Sequence, residues 1–143
     1  MSHTLPWSNG PAAGAGGGQV VVMASRLKLK SLLRVPRFFI LSGGVYRQAQ
    51  NTPGNVGVSL RADPWHKTFW TLSSWESREA LQTYIRTDPH LSVMTKLKPA
   101  MRESLFTSWK QDVTLPPSWD EADKRLTAQE QAQARGAADP QRG

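Results

Sequence analysis

An α+β fold, with helices laid against an antiparallel sheet, is predicted by three observations. Thr68-Phe69-Trp70-Thr71-Leu72-Ser73-Ser74-Trp75-Glu76 alternates bulky residues as a strand with one buried face does. Gln19-Val20-Val21-Val22-Met23-Ala24-Ser25 is a β-branched run suited to a buried strand. Ser77 to Thr87 instead places Ala80, Leu81, Tyr84 and Ile85 on one helical stripe. With the segments between them, the order is strand, helix, strand, strand, helix, strand and a terminal helix. That is the order of a ferredoxin-like split βαβ unit, which leaves one sheet face uncovered and open to pairing.

Each element has its own signal. Residues 1–18 are rich in Gly, Ala and Pro and lack periodicity, so a flexible leader is expected. The first strand extends into Arg26-Leu27-Lys28-Leu29-Lys30, which alternates with period two. Ser31 is a helix cap, and Leu32, Leu33, Val35, Phe38, Phe39, Leu41, Val45 and Tyr46 supply the apolar side, with Pro36 kinking or restarting the helix. Gly43-Gly44 lowers helix propensity by about 1 kcal/mol per residue, and the pair suits tight packing or close approach of a ligand. Asn51-Thr52-Pro53-Gly54-Asn55 is a turn, and Val56 to Arg61 is a strand pairing antiparallel with 69–75 across the Asp63-Pro64 connection. Asp88 caps a further helical piece with Pro89 first, and Leu91, Met94 and Leu97 carry its apolar face. Glu103 to Lys110 is the last strand, and the Ser118 to Glu121 capping box starts a short helix to about Leu126. One domain over 19–127 and a disordered tail over 128–143 complete the division.

Composition narrows the function classes. The chain has 143 residues, six Trp and no Cys, so thiolate metal sites and cysteine nucleophiles are excluded, and a cytoplasmic location is expected. No apolar run approaches the ~20 residues of a membrane span. A core this small, with so many tryptophans, gains from pairing, so a homodimer is expected. Residues 1–62 hold seven basic and no acidic side chains, and the rest hold eleven of each, so the whole excess of +7 lies in the first part. Such a block is a solvated face or a site for an anionic partner. No nucleic-acid motif accompanies it, and nucleic acid is not expected as a partner. A P-loop, a dinucleotide glycine pattern, a Ser/His/Asp order and a two-histidine zinc motif are absent.

Phe69 to Glu76, the helix with Glu79-Ala80-Leu81, then His90, Met94, Trp109 and Pro116 to Leu126 resemble the dimeric α/β-barrel, antibiotic biosynthesis monooxygenase-like proteins, and within them the spheroidene monooxygenase-like group. The resemblance spans about residues 19–127. It implies a homodimer with its sheets packed face to face and a pocket in each protomer between sheet and helices. It also implies one of three chemistries: a cofactor-free oxygenase, a haem-dependent oxygenase, or a non-redox cyclase. In the haem case His90 is the axial iron ligand.

Candidate site residues follow from chemistry. His90 is a metal ligand, a proton-transfer group, or a helix-start residue that hydrogen-bonds locally. Trp65, Trp70, Trp75 and Trp109, with Met94, offer flat apolar walls or plain core. Arg61, Arg47 and Arg37 suit haem propionates, an enolate or a carboxylate, because guanidinium groups bind planar oxyanions. Tyr46 and Tyr84 are proton donors or acceptors, or packing. The expectation is a monooxygenase-like enzyme for a hydrophobic polyketide- or terpenoid-like metabolite, with haem or no cofactor. The alternative is a polyketide cyclase or a ligand-binding protein of the same fold.

Overall fold

A computed structural model of the chain describes residues 3–14 and 17–138. The elements are β1 (His3–Asn9), β2 (Gln19–Leu29), α1 (Val35–Asn51), β3 (Asn55–Asp63), β4 (Thr68–Trp75), α2 (Arg78–Arg86), α3 (His90–Leu97), β5 (Met101–Asp112) and α4 (Trp119–Ala138), with short 3-10 turns at Leu32–Arg34, Pro64–His66 and Lys98–Ala100. The five strands form one sheet in the order β1-β3-β4-β2-β5. Every pairing is antiparallel. Leaving out β1, this is the ferredoxin-like arrangement, with the β-branched β2 at the centre, paired to β4 through Val21↔Trp75 and Ser25↔Thr71 and to β5 through Val22↔Trp109.

Two segments expected to lack structure are ordered elements. Residues 3–9, part of the expected leader, form β1 at the sheet edge, paired with β3 through Leu5↔Leu60 and Asn9↔Gly57. Pro6 hid this strand from pattern reading, yet an edge strand tolerates a residue with no N–H to give. Gly57 is required there, since a Cβ would lie 2.2 Å from the Trp7 ring. At the other end, α4 does not stop near Leu126 but continues to Ala138, through most of the expected tail. The remaining residues of leader and tail, 1, 2, 15, 16 and 139–143, lie outside the described residues.

Strand alternation divides the side chains between two layers. One face carries Val21, Leu27, Val58, Phe69 and Trp75 against α1, α2 and α3. The other carries Val20, Val22, Ala24, Leu72, Leu105 and Trp109 against Ala122 and Leu126 of α4. The second face is therefore not uncovered: α4 lies on it. The helix starts as its capping box requires, with Ser118 Oγ accepting from the Glu121 N–H at 3.1 Å. Charge pairs fasten it further, Arg61 to Asp123 at 2.6 Å and Arg26 to Glu130, with Arg26 also reaching Glu103 at 2.8 Å.

The helices on the first face are set by local chemistry. Ser31 Oγ accepts from Leu33 N–H, capping the 3-10 turn, and Pro36 then sits in the first turn of α1, where it starts the helix and does not kink it. Gly43 and Gly44 serve no tight packing, since nothing lies within 4 Å of a Cβ built at either. Helix α3 begins at His90, with Pro89 as its N-cap, while Asp88 Oδ1 accepts from Ser92 N–H at 3.0 Å. Among the described residues no helix is long and apolar enough to cross a membrane.

Candidate active site

A cavity of about 460 Å³ lies between the sheet and helices α1 and α3. That volume is within the range of small-molecule sites. Strands β2 and β4 supply Met23, Ser25, Leu27, Phe69, Thr71 and Ser73 as its floor, which is the inward face that period-two alternation selects. Helix α1 contributes Phe38, Phe39, Ser42, Gly43 and Tyr46, and α3 contributes His90, Val93, Met94 and Leu97. The aromatic walls are phenylalanines. Phe38 and Phe69 meet at 4.3 Å between ring centroids, and Phe39 meets Phe69 edge-on at 5.3 Å. The polar marks of the floor are the Ser25 and Thr71 hydroxyls, joined at 2.5 Å, and Ser73, whose hydroxyl accepts from the Trp75 indole.

His90 is held by both its backbone and its ring. Gln48 of α1 accepts from His90 N–H at 2.7 Å and donates to the carbonyls of Thr87 at 3.0 Å and Tyr84 at 3.3 Å, so one amide side chain fixes the α2–α3 junction. The imidazole Nδ1 lies 3.1 Å from the Ile85 carbonyl. A carbonyl only accepts, so Nδ1 carries the proton and Nε2 keeps its lone pair. Burial lowers the His90 pKa and the Ile85 bond offsets this only in part, so the ring is neutral at pH 7. A smaller cleft of about 240 Å³ flanks the same ring on the side of Leu91 and Lys98. Tyr84, 4.7 Å from His90 and stacked on Trp75 at 4.8 Å, is kept protonated because burial pushes its hydroxyl pKa up.

The structure brings together His90, Tyr46 and Met94, and it disperses the rest of the expected set. Trp75 is 0% exposed and belongs to the core under α2, with its indole N–H given to Ser73 Oγ at 2.9 Å. Trp109 lies on the opposite sheet face beneath Arg125. Trp65 is 77% exposed on the 3-10 turn after β3 and does not line the cavity. Trp70 and Arg61 border the cavity, but alternation sends both side chains to the α4 side. There the Arg61 guanidinium lies between the Trp70 and Trp119 rings, 4.4 and 4.6 Å from their centroids, and forks onto Asp123. Arg37 and Arg47 are exposed and line no part of the cavity. His3, expected in the leader, borders the cavity from β1.

These positions decide which cofactor the site fits. The free Nε2 of His90 suits an iron ligand, its Nδ1–H on a carbonyl being the usual support for a ligating imidazole. The arginines assigned to propionates face outward or are engaged by Asp123, and the cavity is almost wholly apolar, so the residues present do not fit a haem. No group of three or more His, Cys, Asp or Glu that could hold a metal ion occurs among the described residues. The phenylalanine lining was missed because the tryptophans were weighed by size and not by strand parity. In β4, Phe69, Thr71 and Ser73 share the cavity side while Trp70 and Leu72 take the other.

No protein-family profile and no curated protein matches the chain. Solved structures do. A candidate antibiotic biosynthesis monooxygenase from Deinococcus radiodurans superposes with a TM-score of 0.60 at 13% identity, over 68% of this chain and 98% of that one. A conserved protein from Methanosarcina mazei gives 0.57 at 13% identity over 63% and 90%. SnoaB, a cofactor-independent oxygenase from Streptomyces nogalater, gives 0.54 at 15% identity over 70% and 96%. The chain therefore has the α+β, ferredoxin-like fold of the antibiotic biosynthesis monooxygenase-like proteins, the dimeric α/β-barrel type.

Proposed function

We propose that this protein is a monooxygenase-like enzyme that oxidises a hydrophobic polyketide- or terpenoid-like metabolite inside the cavity without a bound cofactor. The observation that carries this reading is the neutral His90, whose Nε2 keeps its lone pair beside an apolar, phenylalanine-walled cavity. A general base needs an available lone pair and a pKa near or below working pH; the Ile85 bond leaves the first on Nε2 and burial supplies the second. A substrate methylene made acidic by a neighbouring carbonyl gives its proton to Nε2. The resulting carbanion reduces molecular oxygen, and the net change is CH2 plus O2 to C=O plus H2O. Tyr46, a hydroxyl-bearing residue of α1 that lines the cavity, donates to the enolate oxygen as charge develops. The likeness to SnoaB supports oxygen chemistry that needs no cofactor on this fold.

Pairing of two copies belongs to the same proposal in altered form. Because α4 occupies the outer sheet face, the copies meet across α4 or exchange it, and do not stack bare sheets. A cytoplasmic site of action fits a cysteine-free chain.

The test is oxygen uptake with a tricyclic anthrone and no added cofactor. One O2 consumed per ketone formed, with kcat falling by about 10²- to 10⁴-fold in His90→Gln, supports the reading. Turnover under strict anaerobiosis, or a Soret band on adding haemin that His90→Gln removes, overturns it in favour of a cyclase or a haem protein.

A further inference from the structure

The outward side of α1 has a composition the cavity does not use. Leu33 is 91% exposed and Ile40 77%, and Leu32 and Phe39 beside them are 47% each. Helical spacing puts Leu33, Arg37, Ile40 and Arg47 on one stripe facing away from the core, which takes Val35, Phe38 and Ala49 on the opposite stripe. Exposed large apolar groups in this density are not explained by folding, since each would be satisfied by a polar residue.

Charge identifies the occupant. Between Lys28 and Ala62 there is no Asp or Glu, and the same holds from Pro89 to Arg102. These two stretches adjoin in space, because Lys30 N–H bonds the Ala100 carbonyl at 2.9 Å and α3 packs beside α1. The surface therefore gathers Lys30, Arg34, Arg37, Arg47, Lys96 and Lys98 around the exposed leucines and isoleucine. Glu103, the next carboxylate along the chain, is engaged with Arg26 and Lys28 on the α4 side. Apolar side chains to enter an acyl layer, ringed by cations to meet its headgroups, are what an interfacial helix presents to an anionic bilayer. A protein partner or a second copy would be expected to meet carboxylates as well as cations here, whereas neither stretch holds one and the flanking Asp63 and Asp88 are engaged by His66 and Ser92.

We propose that the outer face of α1, with the preceding 3-10 turn and the end of α3, docks on an anionic lipid bilayer. Phe39 belongs to both surfaces: it is exposed at this face and it also lines the cavity. Docking thus sets the cavity mouth against the lipid in which a hydrophobic molecule would be dissolved. The docking surface goes beyond the catalytic reading and stands or falls without it, since it is measured with no turnover.

The experiment is flotation of the full chain with vesicles of phosphatidylcholine alone and of phosphatidylcholine mixed with phosphatidylglycerol. The expected result is binding to the mixed vesicles only, released by added salt. Arg34→Gln with Arg37→Gln should weaken binding roughly thirtyfold, two charges near an anionic surface. Leu33→Ser with Ile40→Ser should weaken it at least as much. All four side chains are exposed, so circular dichroism and thermal melting should stay as in the parent and show that the variants fold. Absence of binding to the mixed vesicles overturns the proposal, as does binding that all the variants retain. A doubled solution mass that Leu33→Ser with Ile40→Ser returns to one copy, without vesicle binding, assigns the surface to self-association and overturns it too.

Discussion

Replacing Leu126 by Ala tests whether α4 serves this chain in the place where a partner sheet would lie. Leu126 is 1% exposed and packs with Val22, Leu105 and Trp109 on the sheet and with Ala122 one turn earlier. Truncating a buried leucine costs about 2–5 kcal/mol, depending on how well the space collapses. Ala122 is already small and the sheet is rigid, so little can fill the gap, and a loss of about 3 kcal/mol is expected. For a domain of this size that is a large share of total stability and lowers the melting temperature by roughly 10 °C. Urea unfolding gives the free energy, and hydrogen exchange locates it. The 20-residue α4 is fastened in its first half by Trp119, Ala122 and Leu126, whereas residues 128–136 are mostly exposed. Its amides should lose protection before those of β2 and β4. A change below about 0.5 kcal/mol, the level of a surface substitution, with α4 exchange unaltered would refute the docking of α4 on its own sheet.

The pH dependence of stability follows from His90. Its folded pKa is lowered, so the unfolded chain binds more protons on acidification; the contribution is complete above about pH 6.5, the unfolded value, and is lost as pH falls through and below it. Urea midpoints between about pH 5 and 8 should therefore decline on the acid side in the parent and be flatter in His90→Gln. Arg61→Ala removes a guanidinium from two indole rings and a partly exposed carboxylate, a loss of about 1–2 kcal/mol, seen as a lower urea midpoint with unchanged oxygen uptake. Gly57→Ala drives a Cβ into the Trp7 ring and should release β1, read as earlier exchange of the residue 3–9 amides and a loss of about 1–3 kcal/mol. Gln48→Leu keeps the bulk of the side chain but removes three hydrogen bonds at the α2–α3 junction, and should lower kcat more than it raises KM.

How much was legible depended on the type of signal. The central strands could be read because Val20 to Val22 is a β-branched run and Phe69 to Trp75 follows period two in a buried sheet, where pattern and packing agree. The caps at Ser31 and Ser118 were equally plain, each hydroxyl being found on a helix-start N–H. The edge strand was not legible, because Pro6 and the surrounding polar residues carry no apolar alternation and β1 is held mainly by backbone pairing to β3. Nor was the second half of α4, whose Gln and Ala residues favour a helix without a buried stripe. At the site, His90, Tyr46 and Met94 were found by residue type. Trp75 and Trp109 were misplaced because an indole reads alike in a core and in a pocket. The basic block divides, Arg34, Arg37 and Arg47 facing outward while Arg26 and Arg61 turn to the carboxylates of α4, a matter of side-chain direction that net charge does not encode.

The Gln48 amide bridges two parts of the molecule that have separate duties. Its backbone belongs to α1, whose far side is the cationic, oily surface, and its terminal atoms grip the peptide groups that set the imidazole at position 90. The position of the imidazole relative to the sheet floor is thus tied, through one amide, to the seat of α1 itself.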